Sequence, residues 1–374
     1  MKISYHLPMI GSIILIIILL LIPTGYEEAQ IYQDAEHCVA KVISVYNDRI
    51  ISTGLVKSGE QTCTVKFLNG KFKGQTADGY NLLNGSLETD KIFQPGDKAQ
   101  VVVNFLGDSI LSVNLIDLYR LPFEAILAVL FAVLLILFAG ITGFRAIFSF
   151  VITILCIWKI LVPAYLNGRN PILLGLMIVI LLTLVIISLV YGFDRRWLSA
   201  CSGATLGIIV TCILGMIFTS KFRIHGAIMS YSESLLYSGY QDLNLTKIFM
   251  ASIFIGSSGA VMDLAVDITS AVYEVVQKKP DISVKEAIQS GMNVGRAAMG
   301  TMTTTLLLAY SGGFIALLMT FMAQGTPIYN ILNYKYVSAE ILDTMIGSFG
   351  LVTVAPFTAL TSGILLTKVK STKL

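Results

Sequence analysis

The chain has 374 residues, 55% hydrophobic and 13% charged, with a mean hydropathy of +0.78. This composition excludes a soluble globular protein and indicates a polytopic membrane protein. The net charge of +3 is unevenly spread: residues 26–119 carry eight Lys/Arg against twelve Asp/Glu, the remainder eighteen against eleven. An acidic soluble part beside a basic membrane part fits the positive-inside bias and argues against nucleic acid as a partner.

From the start, Pro8 to Ile22 form an almost purely aliphatic run behind Lys2. A cleaved signal and an uncleaved anchor both fit; the exit IPTGYEEA lacks a small-x-small cleavage site, which favours an anchor over residues 1–25. Residues 26–119 change character. VAKVISVY, CTVKFLN, AQVVVNF and ILSVNLIDL alternate or are β-branched, with Gly, Asn and Asp clusters between them. Short strands with such punctuation predict a small all-β domain, and an OB-like barrel is the expectation. Asn69-Gly70 reads as a hairpin dipeptide, and Pro95-Gly96-Asp97-Lys98 as a turn feeding a strand. Cys38 and Cys63 share this segment, so a disulfide is open to it if the domain is exported.

Residues 120–374 read as a seven-helix membrane domain, with spans at 122–140, 144–166, 171–191, 199–219, 248–275, 297–323 and 338–367. Adding 7–23 gives about eight. The short segments on one side hold Lys2, Arg145, Arg195, Arg196, Lys278, Lys279, Lys285, Arg296, Lys368, Lys370 and Lys373. That side is therefore expected to be cytoplasmic, with both termini inside and residues 26–119 outside. The connector after Pro280 predicts a short surface helix opened by a Ser283/Glu286 capping box. The stretch 220–247 is expected to be re-entrant or interfacial. Small-xxx-small spacings, as in Gly203/Gly207 and Gly256/Ala260, predict close helix contact.

Within the membrane part the candidate chemistry lies in two helices. Asp263 and Asp267 stand one turn apart on one face, about 6 Å along the axis, and Glu274 continues that face. A carboxylate at membrane depth costs on the order of 3 kcal/mol, so a descending acid row points to a cation or proton route. Arg296 and the hydroxyl row Thr301, Thr303, Thr304 and Thr305 could equally neutralise or hydrogen-bond the acids within a purely structural arrangement. Gly256-Ser257-Ser258-Gly259 and Ser311-Gly312-Gly313 read either as unwound points lining a cavity or as tight helix packing. Pro356, with Thr358, Thr361 and Ser362, is a potential kink. Only three His are present, without zinc-ligand spacing, and neither a P-loop nor a G-x-S-x-G elbow occurs. No cofactor and no enzymatic activity are expected.

The strings GSSGAVMDLAVDITSAVYE, GMNVGRAAMGTMTTTLLLAYSGG and GSFGLVTVAPFTAL resemble the signature blocks of the YibE/F-like family of bacterial multi-pass membrane proteins. The resemblance runs from about residue 120 onward, and more loosely includes the exported domain. It implies a multi-pass protein of the bacterial cell membrane, of the kind suspected to be permeases. Asp263, Gly295, Arg296, Thr305, Tyr310 and Pro356 occupy characteristic positions; Asp267 and Ala297-Ala298 depart from the pattern, the latter standing where an acid and a histidine are usual.

Two functions follow as expectations. One is secondary transport of a small solute or cation, engaging Asp263, Asp267, Ser257, Ser258, Arg296, Thr301, Thr304, Thr305 and Tyr310 in a cavity between helices 248–275 and 297–323. The alternative is a membrane scaffold or envelope-assembly factor that presents residues 26–119 to a partner, or a homo-oligomer.

Overall fold

The structure is a computed structural model, which describes residues 3–27 and 34–367, with side chains from residue 7 onward. Lys2, Lys368, Lys370 and Lys373 lie outside the described residues. The chain divides into two compact units, Gly25–Phe138 and Met1–Thr24 joined with Ala139–Leu374.

The first unit holds six strands: β1 Glu36–Tyr46, β2 Ile50–Thr53, β3 Val56–Phe67, β4 Thr76–Asn84, β5 Lys98–Leu106 and β6 Ser109–Leu118. They pair in the order β1-β5-β6-β4-β3, and β1 then pairs with β3, closing a five-stranded barrel with β2 as a short flap on β3. The β4–β6 pair is parallel and the others antiparallel, the strand arrangement of an OB-like barrel. Alternation produces it directly. On β3, Gln61, Cys63, Val65 and Phe67 turn inward, and the residues between them turn out. The core is completed by Ala40, Val42, Phe93, Val101, Val103, Val113 and Leu115.

Asn69-Gly70 does not make a two-residue hairpin. The β3–β4 connection runs over residues 68–75 because Phe72 folds back into the core, 2% exposed. Gly70 takes a positive φ of 77°, and Asn69 Oδ1 accepts from Val39 N–H at 2.6 Å. The Pro95–Lys98 turn is as expected, with Gln94 N–H donating to Asp97 Oδ2 at 2.7 Å.

Cys38 and Cys63 are both buried and both free thiols. Cys63 pairs across from Val45, so seven residues of β1 at ~3.3 Å each separate it from Cys38, far beyond the Cα spacing of a disulfide. Burial pushes both thiols up to about 11. Alkylation of the native protein at neutral pH is therefore expected to spare both, and to reach them only after unfolding. Mass spectrometry of maleimide-treated protein checks this.

The 85–97 connection is held by Asp90, whose carboxylate accepts from the N–H groups of Asn84, Gly85 and Ser86 at 3.0, 2.7 and 2.9 Å. These bonds, that to Asn84 foremost, hold its pKa below the ordinary carboxylate value. The contribution to stability is present above the unfolded pKa and is lost as pH falls through the folded one. Asp90→Asn is expected to lower resistance to denaturant at pH 7, and the gap to the natural protein should close on acidification. Matched denaturation curves at the two pH values test this.

The helices are α1 Ile3–Leu21, α2 Leu121–Ala139, α3 Ile141–Cys156, α4 Val162–Leu166, α5 Pro171–Tyr191, α6 Arg195–Phe222 and α7 Ser232–Tyr237, then α8 Leu245–Lys278, α9 Val284–Ser311, α10 Ile315–Ala323, α11 Ile328–Asn333 and α12 Lys335–Thr367. A π-turn at Ile157–Leu161 joins α3 to α4. Among the described residues, seven helical segments are long and apolar enough to cross a bilayer, and Leu7–Leu21 is a shorter apolar one. In the second unit α8 and α12 are central. Gly203 and Gly207 of α6 face Thr358 and Val354 of α12, while Gly291 and Gly295 of α9 face Ala359 and Ala355. The contact expected at Gly203/Gly207 therefore forms, and Gly291/Gly295 adds a second on α12, whereas Gly256 meets only Tyr310 of α9.

One expectation changes. The capping box of Ser283 and Glu286 is present, but it opens α9 itself and not a separate surface helix. Gly291 and Gly295, inside the continuous α9, pack closely on α8 and α12. Pro356 lies inside α12, which runs from Lys335 to Thr367. Nearby Ser362 Oγ meets Ser199 Oγ at 2.7 Å and Thr269 Oγ1 at 3.2 Å, and Thr361 Oγ1 donates to Ser199 O at 3.1 Å. These hydroxyls bind α12 to α6 and α8. Stretch 220–247 holds the end of α6, a 3₁₀ turn at Gly226–Ile228 and the short α7.

Candidate functional site

The polar residues of α8 fall into two sets. Ser257 and Ser258 are buried, and their hydroxyls donate to Ile253 O and Ile255 O of their own helix. The 256–259 run is fully helical, so these serines serve packing, with Ser257 against Gly347 of α12. Ser252, Gly256, Gly259, Asp263, Asp267, Ser270 and Glu274 are all exposed. Their spacing repeats by threes and fours, which places them on one helical face. At 1.5 Å per residue this face is about 33 Å long, close to the ~30 Å of a hydrocarbon core.

Asp263 has no hydrogen bond or ion pair among the described residues, nor has Asp267, which lies near enough to Tyr191 to act on it electrostatically. Arg296 is exposed on α9 and pairs with neither acid. Thr301, Thr303 and Thr305 donate to Ala298 O, Met299 O and Thr301 O of their own helix, while Thr304 is exposed without such a bond. The structure thus leaves both aspartates on an open face and does not gather the threonines around them.

At one end of this face is a cluster that sequence reasoning missed. A cavity of about 220 Å³ is lined by Ser252 and Phe249 of α8, Phe314 in the Gly312–Phe314 turn, and Tyr336, Glu340 and Asp343 of α12. Of the two readings of Ser311-Gly312-Gly313, the local departure from α-helix is the one seen, as that 3₁₀ turn, whose Phe314 borders this cavity. Tyr310 reaches Gly256, close enough to Asp343 and Glu340 for electrostatic interaction. Tyr310 Oη, Glu340 Oε1, Asp343 Oδ1 and Thr344 Oγ1 are all buried without a hydrogen-bond partner among the described residues. An unpaired buried polar atom costs about 1–3 kcal/mol, and a charged one more. Tyr310, Glu340 and Asp343, within electrostatic reach of one another, make a polar site that a proton or a cation would complete. The signal was legible as an E-x-x-D pair, Glu340 and Asp343, inside an apolar helix.

The other end of the α8 face is also polar. Tyr191 Oη donates to Val266 O at 2.6 Å and meets Ser270 Oγ at 2.7 Å. Arg196 stacks between Tyr191 and Tyr273, 5.0 and 4.5 Å from the ring centres, and pairs with Asp194 at 2.6 Å. Asp194, Arg195, Arg196, Tyr273 and Gln277 line a second pocket of about 330 Å³.

The YibE/F-like family model matches residues 127–368, well over half of the chain. The chain belongs to the YibE/F-like family. No curated protein and no solved structure matches it. In this YibE/F-like protein the match covers α8, α9 and α12, and hence both pockets and the face between them. Together with its apolar helices, this identifies a membrane protein.

Proposed function

We propose that this YibE/F-like protein is a permease, a secondary transporter that moves a small cation or a solute coupled to one, with protons as the simplest carried species. One observation carries the reading. The unpaired carboxylates Glu340 and Asp343 line a cavity at one end of a polar α8 face whose length matches the membrane core. Asp263 and Asp267 then supply two further carboxylates along that face, roughly 16 and 22 Å beyond Ser252 at 1.5 Å per residue. Tyr310 and Ser252 provide hydroxyls that bond to either protonation state.

The charge pattern of the short loops supports a bacterial cell-membrane protein with both termini cytoplasmic and the barrel outside. In that orientation the Glu340/Asp343 cavity opens outward and the Arg195/Arg196 pocket inward. The protein on this reading performs no covalent chemistry and needs no cofactor. Flux through proteoliposomes tests it: pyranine-loaded vesicles under an imposed membrane potential should acidify or alkalinise, and Asp343→Asn should sharply reduce the response. An unchanged response in a correctly folded Asp343→Asn protein removes the site.

The scaffold reading has one observation in its favour: Leu106 and Leu111 stand exposed at the far end of the barrel, as they would for a partner. Deleting residues 26–119 separates the two, since a scaffold loses its cellular phenotype and a permease keeps its flux.

A further inference from the structure

The barrel has two ends, and the strand register assigns them. β6 runs from Ser109 to Leu118, and α2 begins at Leu121. β4 is parallel to β6, with Tyr80 opposite Asn114, so its last residue, Asn84, lies at the α2 end. β3 is antiparallel to β4, with Ser58 opposite Asn84, so the β2–β3 turn lies at that end as well. The β5–β6 turn at Gly107-Asp108 lies at the opposite end.

At the α2 end two leucines stand exposed, one of them beside the exposed Glu88 and Thr89. Leu55, at the β2–β3 turn, is 83% exposed, and Leu87, in the loop after β4, is 71% exposed. The two side chains line one shallow pocket together with Lys57 and Ile92. The β2–β3 hairpin from Ile50 to Lys57 carries no acid. Asp90, which also lines the pocket, spends its carboxylate on three backbone N–H groups.

The tether is short. Tyr119 N–H still donates to Lys98 O at 2.8 Å, so strand pairing continues to within two residues of α2. Two residues span at most about 7 Å, comparable to the headgroup layer on one side of a bilayer. A barrel held so closely to the start of a spanning helix has its α2 end at the lipid surface.

We propose that this end of the barrel is seated in the lipid headgroup layer, with Leu55 and Leu87 inserted at the acyl boundary and Lys57 reaching back to the headgroups. The partner is the bilayer itself, in the leaflet that α2 enters. The chemistry is that of an interfacial anchor, in which apolar side chains dip in and basic ones snorkel. The inference goes beyond transport and does not depend on it. It makes the barrel a fixture of the membrane surface, with its other end turned to solution.

The test uses the full chain in phosphatidylcholine–phosphatidylglycerol vesicles, labelled with an environment-sensitive fluorophore through Leu55→Cys, Leu87→Cys or Leu106→Cys. The native cysteines are buried and provide an unlabelled background. Leu106, 74% exposed at the opposite end, is the control of matched chemistry. Nitroxide-bearing lipid is expected to quench the labels at 55 and 87 at least ~2-fold more than the label at 106, as for side chains a few ångströms into the interface. Equal quenching at all three positions, or stronger quenching at 106, overturns the proposal. Loss of Cys38 and Cys63 protection marks a misfolded variant. A second probe, Lys57→Cys, then decides: lipid quenching above that at 106 sustains the proposal, and quenching no greater than at 106 overturns it.

Discussion

Asp343→Asn is expected to reduce flux through this protein by about 10- to 100-fold, the loss of one charge-assisted hydrogen bond of roughly 1.5–3 kcal/mol to the carried ion. Asp343 is the central choice because its Oδ1 is buried with no hydrogen-bond partner among the described residues and Oε1 of its neighbour Glu340, one turn away on α12, is in the same state. Amide replacement keeps the shape and removes only the charge and the exchangeable carboxyl proton. Folding should therefore be retained, and even improved, since an unpaired carboxylate no longer has to be buried. Glu340→Gln should act in the same direction. Asp263→Asn separates a single site from a route: if the α8 face conducts, it slows flux as well; if the cavity alone carries the ion, it leaves flux unchanged. Pyranine fluorescence in proteoliposomes reads the flux, and size-exclusion chromatography with a thermal melt reads the fold. Stabilised but inactive Asp343→Asn protein is the expected pair of results.

A large effect on the stability of the helical unit is expected at Gly203. A Cβ there would lie 2.1 Å from Thr358 Oγ1 and 2.8 Å from Thr358 Cα, so even alanine must push α6 away from α12. A side chain can rotate away, but the Cα of a central helix cannot. Gly203→Ala is expected to cost ~1–3 kcal/mol by overpacking and to loosen the Ser199–Ser362 contact one turn away. Gly11→Ala is the contrast, because a Cβ at Gly11 meets nothing within 4 Å. There the substitution should be neutral or slightly stabilising through helix propensity. A thermal scan with a thiol-reactive dye suits both variants, since the cysteines are buried until the bundle opens.

Much of the architecture is written locally. The barrel strands follow from period-two alternation, and the Pro95–Lys98 turn and Ser283/Glu286 cap from short-range chemistry. The membrane helices follow from runs longer than a bilayer is thick. Asn69-Gly70 shows the limit of that method: the dipeptide tolerates a tight turn, but Phe72 gains more from the core than a short loop would allow. The 256–259 run shows another. Its small residues read equally as an unwound cavity wall or as packing, and only the neighbouring α12 at Gly347 makes packing of Ser257.

The sequence by itself determined that this chain lives in a membrane, that it carries an OB-like barrel, and that Asp263 and Asp267 share a helical face. Each of these depends on composition or on periodicity within one segment. Which faces the helices turn toward one another was decided only by the tertiary structure. Glu340 and Asp343 sit more than seventy positions from Ser252 and some thirty from Tyr310, yet α8, α9 and α12 bring them to one place. Apolar packing carries almost no directional information in sequence, so the position of a polar site between packed helices emerges only when their small residues have set how closely and at which rotation they meet.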